Sequence, residues 1–140
     1  MKHFKQLLIE LSACEDARKW AADKTIEEVV STCHRGDWLL WLAKRVCVDK
    51  RPLTLAKGKC ANTVRHLMKD ERSIKAVDAA IDFGNGLIGE IELAAAAAAY
   101  TAAAAAAAAA RIKNQLLTAD ICREIIGAEI VTKVNEILNR

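Results

Sequence analysis

Residues 93–113 read LAAAAAAYTAAAAAAAAARIK, and this stretch decides the fold class. Between Ala94 and Ala110 it places fifteen alanines in seventeen positions, broken only by Tyr100 and Thr101. Alanine loses no rotamer freedom on entering a helix and has the highest intrinsic helix propensity. The tract therefore predicts a helical rod that carries no acid, base, nucleophile or metal ligand. Glu92 before it and Arg111 and Lys113 after it, together with the weak hydrophobicity of alanine, argue against a membrane span. An ice-binding face needs regularly spaced threonines, and only Thr101 lies within the tract.

The rest of the chain points the same way. One proline and six glycines in 140 residues leave little material for a turn-dense β architecture. The length suits a single domain, residues 1–140, able to bury a core without disulfides or metals. The expected architecture is all-α: a compact bundle of short helices over residues 1–84, then an alanine-rich long helix and a C-terminal amphipathic helix over 85–140.

Working outward toward the N-terminus, Phe4, Leu7, Leu8 and Leu11 mark one face of a first helix. Ser12 and Glu15 have the spacing of a capping box that opens a second helix, with Cys14, Ala17, Trp20 and Ala21 on one stripe. Thr25 and Glu28 repeat that spacing before a third. In Arg35-Gly36-Asp37-Trp38, Gly36 fits a left-handed helix end and Asp37 the cap of the next helix, so the RGD tripeptide reads as a junction. The helix from Trp38 to Val46 is apolar around most of its circumference, which predicts a central position with Trp38 and Trp41 as core anchors. An exposed aromatic ridge is the alternative. Pro52 suits the first turn of a helix carrying Leu53, Ala56, Cys60, Val64 and Leu67, and Ile74 to Ile81 form another before the Phe83-Gly84-Asn85-Gly86 turn. From Glu90 the pattern predicts a helix as far as Ile126, with a break near Thr118 or Asp120 as an alternative and a stronger interruption at Gly127.

Candidate sites are sparse. Ten basic residues lie between Lys44 and Lys75 against Asp49, Asp70 and Glu71, a local balance of +7 compared with +3 for the whole chain. Lys44, Arg45, Lys50, Arg51, Lys57, Lys59, Arg65, Lys69 and Arg72 are therefore the candidate partner-binding residues, for an acidic protein surface or phosphates, with a solvated basic face that meets no partner as the plainer alternative. The segment contains no aromatic side chain for base stacking. Cys33, His34, Cys47, Cys60 and His66 lack paired-ligand spacing, so no metal and no cofactor is implied, and the cysteines fit buried core positions. No serine sits in a nucleophile elbow, and a catalytic role is not expected. The first ten residues hold only three consecutive apolar positions before Glu10, short of a secretory core, and five cysteines without a close pair fit reduced thiols in the cytoplasm.

Several segments together resemble a known family: Ala17-Arg18-Lys19-Trp20, the run Cys33 to Ala43, the run Leu53 to His66, and Thr118 to Glu124. They are similar to the immunity-five-like group of immunity proteins associated with bacterial polymorphic toxin systems and also met in phage genomes. The likeness covers roughly Cys14 to Ile126. It implies an all-helical, non-enzymatic protein that neutralises a cognate protein toxin by direct contact, and it brings no binding residues with it. Two other readings stand beside it. One is a nucleic-acid-binding accessory protein acting through residues 44–75, and the other is self-association through the alanine helix.

Overall fold

A computed structural model describes residues 2–100 and 114–140. Within them the chain is all-α, with no strand among the described residues. The helices are α1 (Phe4–Glu10), α2 (Glu15–Ala21), α3 (Ile26–Thr32), α4 (Gly36–Arg45), α5 (Lys50–Asn62), α6 (Glu71–Gly84), α7 (Glu90–Tyr100) and α8 (Gln115–Leu138), with a 3-10 turn at Arg65–Leu67.

Helix α8 is the post on which the others lean. Its 24 residues span about 36 Å at ~1.5 Å per residue. Ala119, Cys122, Ile126, Ile130 and Val134 recur at helical spacing and are all at most 1% exposed. Helices α3, α4 and α5 pack against this stripe. Helix α5 is shared between two layers. Leu53, Ala56 and Cys60 face the α8 core, while Ala61 is buried on the side toward α6, whose Ala76, Val77 and Phe83 are buried in turn.

Several expectations are corrected here. The last helix runs unbroken through Gly127, which is buried in the helix interior. A side chain there would meet Val30 Cγ1 at 3.1 Å, so this glycine serves close packing of α3. Asn114 is not helical and α8 begins at Gln115, so its start is not at Thr118 or Asp120, and the helix expected from Glu90 to Ile126 is interrupted there. The alanine tract is helical as far as Tyr100, and its remainder lies outside the described residues. Ser12 does not open α2. It closes α1 with a φ of 61°, and Ala13 N–H donates to Leu8 O at 3.0 Å in a 6→1 bond. Thr25 does cap α3, its Oγ1 accepting from Glu28 N–H at 3.2 Å.

Gly36 is the first residue of α4 and not a left-handed stop, and Asp37 lies inside the first turn after Arg35. The helix expected to reach Leu67 ends at Asn62, and Leu67 is 57% exposed. Gly86, with φ 78°, makes the turn out of α6 as expected. No helix among the described residues is long and apolar enough to cross a membrane.

Candidate binding groove

The apolar run of α4 divides between two faces. Leu39, Leu42 and Ala43 are buried against α8, whereas Trp38 and Trp41, expected as core anchors, are only half-buried and turn toward α2. Trp20 of α2 meets them from the other side. All three tryptophans of the chain line one groove of about 440 Å³, floored by Phe4, Leu8, Val29 and Cys33. Sixteen residues from α1, α2, α3, α4 and the segments joining them contribute to it, and most are apolar.

The rings are ordered. The centroids of Trp20 and Trp38 lie 5.9 Å apart, and the exposed His34 ring sits 5.5 Å from the first and 5.6 Å from the second, edge-on to both. Each tryptophan also carries a cation. The Arg35 guanidinium stacks 4.4 Å from the Trp38 ring, Lys24 lies 4.9 Å from Trp20, and Arg45 lies 5.4 Å from Trp41. Arg35 is held in that pose by a two-pronged bond to Asp37. Its Nε donates to Oδ1 at 3.1 Å and its Nη2 to Oδ2 at 2.7 Å, which also raises its pKa. Lys24 is fixed by donating to the Trp20 carbonyl at 2.8 Å.

The basic residues singled out from the sequence spread over α4, α5, the 3-10 turn, the segment after it and α6. Four of them work inside the molecule. Lys50 pairs with Glu90 at 3.2 Å, Arg65 with Asp78 at 2.6 Å and Arg72 with Asp70 at 3.1 Å. Arg51 donates to the carbonyls of Phe83 and Ile88 and lies over the Phe83 ring at 4.4 Å, tying α5 to the α6–α7 turn. Lys44, Arg45, Lys57, Lys59 and Lys69 are exposed. Desolvation of the Lys57 ammonium, with the Lys44 charge second, pushes its pKa below the ordinary lysine range.

Cys33, Cys60 and Cys122 are buried as expected, but Cys14 and Cys47 are exposed, and Cys14 borders the groove. Among the described residues no three His, Cys, Asp or Glu side chains are grouped to hold a metal ion. The groove residues Trp20, His34 and Arg35 were not legible as a unit. Their proximity depends on the α2–α4 packing, and only the alternative of an exposed tryptophan ridge hinted at it. Comparison with protein-family models, with curated proteins and with solved structures returned no match.

Proposed function

We propose that this chain is a non-enzymatic binding protein of the cytoplasm that neutralises a cognate protein toxin by seating part of it in the tryptophan groove. The observation that supports this is the combination of three half-buried tryptophans, each with a cation on its face, around one apolar cleft. Tryptophan and arginine are the residues most enriched at the energetic centres of protein interfaces. The resemblance to immunity proteins agrees with that chemistry. Arg45, exposed and lying over the Trp41 ring, adds positive charge at the groove's edge, so the contact is fitted to an acidic surface and the other exposed basic residues steer its approach.

The test is growth of cells expressing a toxin encoded beside this chain. Co-expression of the unaltered chain restores growth, and Trp38→Ala with Arg35→Ala removes the rescue while the protein still folds. Full rescue by that folded double variant contradicts the proposal. Nucleic-acid binding through residues 44–75 predicts instead retention of DNA or RNA that falls steeply as salt is raised.

A further inference from the structure

We infer that Cys60 and Cys122 form a site of reversible oxidation, a dithiol that closes to a disulfide between α5 and α8. The two sulfurs are already 3.6 Å apart in a buried contact, although the residues lie 62 positions apart in the chain. Both are at most 1% exposed, and the backbones that carry them are packed directly on one another. A disulfide has its sulfurs at about 2.0 Å, so closure needs a movement of under ~2 Å, within reach of small side-chain adjustments. Each thiol is also aimed by a weak bond to a carbonyl, Cys60 to Thr118 O at 3.7 Å and Cys122 to Gly36 O at 3.8 Å. The remaining buried cysteine, Cys33, directs its thiol to Arg35 O at 3.3 Å and is oriented for a different contact.

The burial that creates the pair also sets its reactivity. The Cys60 contact first, and desolvation second, push the Cys122 thiol far above the ordinary range, so little thiolate exists in the closed core. Attack therefore requires transient separation of α5 from α8, and a peroxide, hardly larger than water, is the oxidant class suited to enter such an opening. The peroxide O–O bond breaks as one sulfur gains oxygen to become a sulfenic acid, releasing one water. The second thiol then attacks that sulfur, the S–S bond forms, and the hydroxyl leaves as a second water. Two thiol hydrogens and two electrons pass to one peroxide. Once closed, the bond is as buried as the thiols were and yields slowly to reductants. It also covalently encloses the segment between residues 60 and 122, which constrains the unfolded chain.

The experiment uses the full chain, fully reduced and then exposed to hydrogen peroxide, with remaining thiols alkylated in denaturant and the peptides weighed. The expected result is a linked pair of peptides containing Cys60 and Cys122, abolished by dithiothreitol, together with a melting midpoint raised by several degrees. The same link is expected in the Cys14→Ser, Cys47→Ser double variant, which removes exchange through the exposed thiols. Complete alkylation of Cys60 and Cys122 after peroxide has consumed Cys14 and Cys47 overturns the inference. So does a link that disappears in the double variant, or one that joins Cys33 to Cys122.

Discussion

Gly36 and Thr118 touch so closely that a β-carbon on Gly36 would lie 2.5 Å from Thr118 Oγ1 and 2.7 Å from its backbone carbon. This is where the start of α4 meets the start of α8, and it fixes how α4 lies on the central post. Because φ at Gly36 is not positive, the demand for glycine is purely one of space. Gly36→Ala should destabilise the fold by about 1–3 kcal/mol through overpacking, read as a lowered melting midpoint. Thr118→Ser should not rescue it, since the backbone carbon remains in the way.

Arg123 fastens α3 to α8 from the other side. Its Nε donates to Val30 O at 2.7 Å and its Nη2 to Cys33 O, two carbonyls at the end of α3 that have no following helical turn. Asp120 pairs with the same guanidinium at 2.5 Å. Arg123→Lys keeps the charge but not the fork of donors. It should cost about 1–3 kcal/mol, and amide exchange should show α3 fraying first. An unchanged exchange pattern in α3 contradicts this account of its C-terminal end.

Three helix ends run against residue preference, with positive φ at Ser12, Ala22 and Cys47. Ser12 and Cys47 sit at φ 61° and 62°, each in a left-handed closing position and each exposed. Glycine is the residue suited to that conformation, and a non-glycine residue there costs about 1–2 kcal/mol before glycine's own entropy is counted. Cys47→Gly should therefore stabilise the chain by about 0.5–1 kcal/mol. Chemical denaturation should show a higher midpoint at unchanged slope.

Acid should loosen three carboxylate contacts: Asp78 with Arg65 of the 3-10 turn, Asp70 at the start of α6, and Glu27 of α3 with Asn135 of α8. The Arg65 hydrogen bond holds the Asp78 carboxyl below its ordinary pKa, the Arg72 hydrogen bond does so for Asp70, and Asn135 does so for Glu27. A carboxylate depressed in the folded state contributes stability above its unfolded pKa and loses it as pH falls through the folded value. Stability should be flat from neutral to mildly acidic pH and fall below the usual carboxylate range. Asp78→Asn should weaken that fall, and an identical acid profile in the variant contradicts the assignment.

The all-helical class was legible because the alanine content and the single proline leave little room for another choice. Helix ends were read less well, for identifiable reasons. Glycine reads as a breaker at Gly36 and Gly127, where it instead admits Thr118 and Val30, neighbours remote in sequence. Ser12 matches a cap by spacing, but the bond from Ala13 to Leu8 wins that position for the end of α1. The basic run in residues 44–75 gave a charge count without the pairing. Asp78, Glu90 and the Phe83 carbonyl, all outside that run, engage part of it. The tryptophans read as core in the sequence because α4 is apolar around most of its circumference. Which of its faces meets α8 is decided by the small Gly36 and Ala43, and periodicity alone does not show that.

The central claim is that the partner is met by the tryptophan groove, with the paired basic segment secondary. Equilibrium binding of the purified chain to the proposed toxin partner tests this most directly, comparing Trp38→Ala with the double variant Lys59→Ala, Lys69→Ala, each verified as folded. The account predicts a loss of at least about tenfold for Trp38→Ala, as for the centre of an interface, and a change of only a few-fold for the lysine pair. A Trp38→Ala protein that binds normally while the lysine variant fails would contradict it.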